Sequence, residues 1–363
     1  MKATTCLVAE PRVKASVAMM DTSPVSGLQQ PADRGAVRLQ LLDLLGGFLH
    51  TQAIATAAKL GVADILGEEA MPVEELAARV DANPSALHRV MRLLASLGIF
   101  SEAAPGVFVG TSLSDELRED RPDSLRHMAM LRGGATYLAA GEMLLSVRTG
   151  EPAAETVFGM PFFEYLATHA EASDVFNRAM AGGANAPTVA VDYDWSGASG
   201  VADIGGGNGS LLSAVLGAHA HLHGVIFDLP HVVSDARMVL EQAGLSERCE
   251  VVGGVFFTDV LPRADVHVLA RVLHDWDDEQ ALAILRNCRR SITADGRLLV
   301  VEWVLPEGDE PSYGKLLDLI MLTLVGGKER TEAEWRALLQ EGRFELVDVT
   351  DAAATSLLEA APV

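Results

Sequence analysis

Residues 36–66 read AVRLQLLDLLGGFLHTQAIATAAKLGVADIL, apolar around nearly the whole circumference of a helix. One flanking core cannot cover such a helix, so the surplus predicts a subunit interface and a homodimer. Further on, Pro72 opens a short helix, Asn83 and Pro84 cap a second that runs to about Leu97, and Gly98 stops it. Two short strands are predicted around residues 99–101 and 107–109, and helix, turn, helix and hairpin in that order make a winged helix-turn-helix. Residues 115–185 read as several helices, with Phe163, Leu166, Phe176 and Met180 at near-helical spacing. From about residue 198 the texture changes. Short apolar runs (GVADI, HGVIFDL, CEVVG, ADVHVLA, GRLLVVEWV) alternate with helical stretches, which predicts an α/β fold with a doubly wound parallel sheet. The expected organisation is a tail over 1–33, a helical winged-helix domain over 34–185 and a Rossmann-like domain over 186–363.

Charge narrows the partners. In 363 residues, 28 Lys and Arg stand against 50 Asp and Glu, a formal net charge of −22 that repels phosphate backbones and anionic lipid. Within the winged helix Arg79, Arg89 and Arg92 are matched by Glu74, Glu75 and Asp81. His88, Arg89 and Arg92 would be the groove-reading side chains, but a charge-balanced module is better explained by packing, so neither nucleic acid nor membrane is expected as a partner. The three cysteines, Cys6, Cys249 and Cys288, show no CxxC spacing and fit a reducing compartment. No secretory signal is apparent at the N-terminus, and the apolar stretches 41–49 and 316–325 are broken by Asp43 and Asp318, short of the ~18 residues of a membrane span. A cytoplasmic protein is expected.

The first strand of the second half runs into VADIGGGNGSLLSAVL, with Asp203, Gly205, Gly207 and Gly209 at alternate positions before a helix. Glycines at a strand-to-helix turn let a ligand approach the backbone closely. A dinucleotide fingerprint would need glycine where Ser210 stands. The acidic DxGxGxG form resembles that of S-adenosylmethionine enzymes, whose cofactor carries a cationic amino group and sulfonium that suit a carboxylate such as Asp203. Asp228 ends the next strand, where the acid of a nucleoside site grips the ribose hydroxyls.

The runs DIGGGNG, FDLPHVV, GGVFF, LARVLHDWDDEQALAILRNCRRSI, VEWVLP and GGKERTEAEW, in this order, resemble the plant and bacterial small-molecule O-methyltransferases that use S-adenosylmethionine. The resemblance covers about residues 36–363. It implies a dimer-forming helical domain, a Rossmann-like methyltransferase domain and a phenolic acceptor, on an aromatic secondary metabolite such as a polyketide. His274, just past the fourth strand, is the best-placed base among ten histidines and matches the family's catalytic histidine. Glu302, ending the fifth strand, is expected to orient the imidazole, and by resemblance Glu329 is a second carboxylate beside it. Asp275, Asp277, Asp278 and Glu279 form one contiguous run entering a helix. They read as an N-terminal cap by Asp277 and Asp278, and no metal is expected.

The cofactor site is expected to comprise Asp203, Gly205, Gly207, Asp228, Leu229, Val255, Phe256, Ala270 and Arg271. The acceptor pocket implied by the resemblance has Phe163, Phe176, Met180, Met321, Leu322 and Leu324. Two positions depart from the pattern: Val255 stands where the family usually has an acid for the adenine amino group, and Ala270 where many members have Lys or Ser. They leave open an enzyme on this fold that retains the cofactor but catalyses hydroxylation, decarboxylation or a pericyclic step.

Overall fold

A computed structural model describes residues 34–121, 123–182, 193–351 and 355–363. The tail expected over 1–33 and the domain boundary expected at 185/186 lie outside the described residues. The chain divides into two compact units, Met1–Gly47 and Phe48–Val363. What is described of the first is helical, the beginning of Arg34–Leu60, and its Val37, Leu39, Leu41, Leu42, Leu44 and Leu45 are all exposed.

The second unit begins with the winged-helix module. Asn83 caps the helix Pro84–Ser96 by accepting the Ala86 N–H (3.0 Å), and Gly98 closes it at φ +76°. The wing strands Phe100–Ala104 and Val107–Gly110 pair antiparallel, and a core of Leu76, Met91, Leu94, Phe100 and Phe108 fills the space behind them. His88 turns toward this wing, edge-on to Phe108 and 3.8 Å from Glu102, while Arg89 and Arg92 are exposed. Six helices follow between Arg126 and Gly182. Their core, including Phe162, Leu166 and Ala179, takes in Leu324 from the late helix Tyr313–Leu324. The hydrophobic contacts of this helical layer thus reach well past residue 185.

The sheet has seven strands: β1 Gly200–Ile204, β2 His223–Asp228, β3 Cys249–Gly253, β4 Ala264–Ala270, β5 Ile292–Glu302, β6 Phe344–Asp351 and β7 Ser356–Pro362. Their spatial order is 3-2-1-4-5-7-6. Alternate residues face opposite layers. Ala202, Ile204, Leu269, Leu298 and Val300 pack with Leu285 and Trp335 on one side, while Val201, Ile226, Val268, Leu299 and Val301 pack with Leu212 and Leu240 on the other. Burial on both faces explains why the strands read as continuous apolar runs. The expected parallel sheet is formed by β1–β5, and β7 joins its edge antiparallel to both β5 and β6. Its sequence, SLLEAAP, has no Val or Ile, whereas each of β1–β5 has at least two. Among the described residues, no helix is long and apolar enough to cross a membrane.

Candidate active site

Strand order reverses between β1 and β4, and the crevice beyond their carboxyl ends is where open α/β sheets hold ligands. On one side of it is the glycine turn. Gly205, Gly207 and Gly209 have φ of +77°, +57° and +76°, which side-chain-bearing residues rarely adopt. A Cβ on Gly205 would lie 2.6 Å from Val272 Cγ2, and one on Gly206 would lie 2.8 Å from the Asp203 carboxyl. Asp228 organises the turn by accepting the Gly207 N–H on Oδ2 (2.8 Å) and the Leu229 N–H on Oδ1 (2.6 Å).

Asp203 is 1% exposed, and neither of its carboxyl oxygens has a hydrogen-bond partner. Burial, reinforced by the charge of Asp228, pushes its pKa up to about 7. A buried, unpartnered acid beside a glycine cradle fits a ligand carrying positive charge.

Beyond β3, the Val255 side chain is 37% exposed and its amide donates to Asp259 Oδ2 (2.8 Å). Phe256 and Phe257 both meet Trp276 edge-on, at 5.8 and 4.8 Å between ring centroids. Ala270 ends β4 in register with Val301. Arg271 follows at φ +56°, with its guanidinium largely buried, Nη2 donating to the Met180 carbonyl (3.3 Å) and Nε without a partner. Burial lowers its pKa, against the pull of Glu302 and Asp275. A strained, desolvated arginine at the strand end is a common mark of a binding site.

On the other side of the crevice His274, Glu302 and Glu329 come together, each buried. Glu302 Oε1 accepts the N–H groups of Val272 (3.0 Å), Leu273 (3.0 Å) and His274 (3.3 Å), so this one oxygen shapes the turn that carries the imidazole. Its Oε2 lies 3.2 Å from His274 Nδ1, and Glu329 Oε1 lies closer at 2.8 Å. The orienting role expected mainly of Glu302 is therefore divided: Glu302 builds the turn and Glu329 makes the hydrogen bond to the ring. With Nδ1 directed at the Glu329 carboxylate, Nε2 is the ring atom at which the imidazole gains or loses its second proton. Asp275 Oδ1 is 3.5 Å from Nε2.

Burial favours neutral imidazole, but Glu302, Asp275 and Glu329 together outweigh it, and the His274 pKa is raised. Burial likewise raises Glu302, against the pull of His274, with Glu329 and Asp275 adding to the rise. The cluster titrates as a unit.

Of the expected acceptor residues, Phe163, Phe176, Met180 and Leu324 share one cluster, and Phe163 stacks on Trp276 (5.8 Å between centroids, 25° between planes). Met321 and Leu322 share the helix of Leu324 but lie outside that cluster, Met321 buried and Leu322 half-buried. Of the acidic run, Asp277 caps the helix Asp278–Ser291 through the Gln280 N–H (2.8 Å), whereas Asp278 pairs with Lys328 and Arg330.

Residues 142–345 match the model of the O-methyltransferase domain, and residues 42–120 match that of the O-methyltransferase dimerisation domain. The chain belongs to the O-methyltransferase family. It is 46% identical to phenazine O-methyltransferase PhzM of Lysobacter antibioticus, over 91% of this chain and 98% of that one. The crystal structure of the O-methyltransferase NcsB1 from neocarzinostatin biosynthesis, in complex with S-adenosylmethionine and 2-hydroxy-5-methyl naphthoic acid, matches with a TM-score of 0.75 at 34% identity, covering 86% and 96% of the two chains. A hydroxylase, aclacinomycin 10-hydroxylase RdmB of Streptomyces purpurascens, is 36% identical over 87% of this chain and 84% of its own. S-adenosylmethionine is the methyl donor of this O-methyltransferase family.

Sequence reasoning assigned no role to Trp276, Gly327 or Arg330, although all three lie within the HDWDD and GGKER runs. Trp276 could have been found as the one aromatic inside the histidine motif. Gly327 marks a close backbone approach, since a Cβ there would fall on the His274 carbonyl oxygen and 2.7 Å from the Trp276 amide nitrogen. Gly327→Ala should therefore push the segment bearing Glu329 away from the histidine turn. We expect turnover to drop by ~10²-fold, the usual cost of an ångström-scale misplacement, with cofactor affinity in calorimetric titration little changed. Near-native turnover would show that the close approach is dispensable.

Proposed function

We propose that this O-methyltransferase transfers the methyl group of S-adenosylmethionine to a phenolic hydroxyl of an aromatic secondary metabolite of polyketide or related type, with His274 as general base. The observation that carries the reading is the hydrogen bond from His274 Nδ1 to buried Glu329, which leaves Nε2 as the basic atom of the ring. When bound, the cofactor supplies an electrophilic methyl on a cationic sulfur. The fit to this chain rests on Asp203, an unpartnered buried acid suited to the positive charge, with the glycine turn, Asp228 and Leu229 on the ribose side. Arg271, with its unpartnered Nε, suits the cofactor's carboxylate. Val255, Phe256 and Ala270 complete the adenine side as apolar contacts.

The acceptor's plane is given to Phe163, Trp276 and Phe176, with Met180, Met321, Leu322 and Leu324 as apolar wall. His274 Nε2 takes the phenolic proton as attack begins, and Glu302 and Glu329 stabilise the imidazolium that results. A phenol has a reference pKa of ~10, so a histidine whose conjugate acid is raised accepts its proton with little loss. No metal enters this reading: His274, Glu302 and Glu329 each bring one ligand atom within 4.8 Å of the others, but Nδ1 is hydrogen-bonded to Glu329 and Glu302 Oε1 to three amides. A homodimer is part of the reading, supported by the dimerisation-domain match and the exposed leucines of the first helix. The hydroxylase relative motivates a second reading, but an oriented base serves proton removal from a hydroxyl, which favours methyl transfer.

Incubation with labelled S-adenosylmethionine and a panel of phenolic aromatics tests the activity itself, the alternative being oxidised or decarboxylated products without label. With an accepted phenol, His274→Ala should lower kcat by ~10² to 10⁴, the usual share of a general base, and leave cofactor affinity nearly unchanged. A loss below about threefold would leave proximity alone to explain the rate.

The sign of the pH dependence follows from the raised pKa of His274. Imidazole is protonated near neutrality in the free protein, so kcat/KM should rise with pH on the alkaline side of 7. Glu329→Gln removes one of the three carboxylates facing the ring and leaves Glu302 and Asp275, with the Arg271 cation on the same strand end. The rise in the profile should then move to lower pH while its plateau falls, as a pH series of initial rates would show. A shift to higher pH would mean that Glu329 is not the ring's charge partner.

At Val255, a carboxylate introduced for the adenine amino group would sit beside that of Asp259, which already accepts the local amide. A neutral acceptor avoids the repulsion. Val255→Asn should tighten S-adenosylmethionine by a few-fold to about tenfold, and Val255→Asp by less, on the ~1 kcal/mol scale of one net hydrogen bond. Calorimetry on both variants checks this, and weaker binding by both would mean that the adenine lies elsewhere.

A further inference from the structure

Arg330 is the one arginine completely buried among the described residues. Its Nη1 donates to the carbonyls of Leu273 (3.1 Å) and Lys328 (3.2 Å), its Nη2 to the carbonyl of Trp276 (3.1 Å), and Nε and Nη2 both reach Asp278 Oδ1 (3.1 and 2.9 Å). The guanidinium lies 5.1 Å over the buried ring of Trp335. Leu273 precedes His274, Trp276 follows Asp275, and Arg330 itself follows Glu329. Bonds from one planar fork therefore bracket the imidazole on its own segment and abut the carboxylate on the other. Gly327 brings the same two segments into close backbone approach.

Burying a guanidinium is costly, and such pairs often add little net stability over an apolar filling; their best-attested use is to set register. The rigid fork suits this, because five donors in one plane fix the relative position of every carbonyl they hold. We propose that Arg330 is a positioning residue that sets the register between the His274 turn and the Glu329 segment, and so the geometry of the hydrogen bond between them. Its importance for catalysis rests on the reading of His274 as base; its effect on the histidine does not.

The test therefore reads the histidine first. The imidazole of His274 is titrated by NMR in the full-length protein, its signal assigned by loss in His274→Ala. Glu302, Glu329 and Asp275 face the ring, and Arg271 is the nearby cation. Arg330→Lys keeps the charge but not the fork. Loosening the Glu329 contact should lower the His274 pKa by about one unit, at the small end of what a displaced opposite charge does. In the same variant kcat should drop by ~10-fold or more with KM for S-adenosylmethionine unchanged, as for a mispositioned base.

Coupling decides between positioning and general support. In a Glu329→Gln background, Arg330→Lys should move the His274 titration hardly at all, because contacts in one network are not additive. Asp278→Asn, at a side chain 54% exposed, weakens the same fork without emptying the core and should shift both readouts in the same direction by less. It carries the test if Arg330→Lys does not fold. An unchanged His274 titration in the folded variants, or an undiminished effect of Arg330→Lys beside Glu329→Gln, overturns the proposal even where thermal stability falls. If His274→Ala keeps near-native turnover while the titration still shifts, the positioning role stands and the base assignment is what fails.

Discussion

A carboxylate with no exposed surface, that of Glu302, holds together the backbone that the rest of the site is built on. Burying such a charge without partners would cost several kcal/mol. Here one oxygen takes three consecutive N–H groups at the end of β4, and the other lies beside the imidazole. The amides of an irregular turn need acceptors, and the acid needs donors, so each solves the other's problem. Because Glu302 ends β5 and the turn follows β4, the neighbouring register of two parallel strands is what brings them together. Sheet topology thus places the His274 imidazole.

The same turn couples the two sides of the crevice. Val272, whose amide Glu302 holds, packs where a Cβ on Gly205 would otherwise be. The glycine turn and the histidine turn are consequently in van der Waals contact, and neither can shift without the other. Trp276, at the far end of the histidine turn, meets Phe256 from the segment after β3 and Phe163 from the helical layer. Residues from three separate segments are indexed to a stretch of five residues, 272–276.

What could be read in advance follows from how local each signal is. The inner strands were legible because burial on both faces writes a continuous apolar run, and the Asn83 cap because its hydrogen bond spans three residues. β7 was not, since its place between β5 and β6 depends on pairing across distant chain rather than on its own composition. Asp203, Asp228, His274 and Glu302 could be nominated from sequence because each sits at or near a strand end or turn. Glu329 was placed only by resemblance, for it reaches His274 from a loop 55 residues away. Arg330 looks in sequence like a surface arginine in a polar run, and only the three-dimensional path of the Leu273 and Trp276 carbonyls reveals what it holds.

Charge ties these observations to the chemistry. The chain is strongly acidic, and around the crevice that bias is concentrated: Asp203, Asp228, Asp275 and Glu302 all have their carboxyl pKa raised, with burial the largest cause in each. Burial makes each of these carboxylates costly to ionise, a cost that nearby positive charge reduces. Arg271 and a protonated His274 offset part of it, and Arg330 is committed to backbone carbonyls and Asp278. In the proposed reading, the positive sulfur and positive amino group of the methyl donor would offset more. Under the proposed reading the spent donor, with a neutral sulfur, would lose that attraction, while a proton taken by His274 would stay among three carboxylates. Buried acid at the crevice would then favour the charged donor over its spent form.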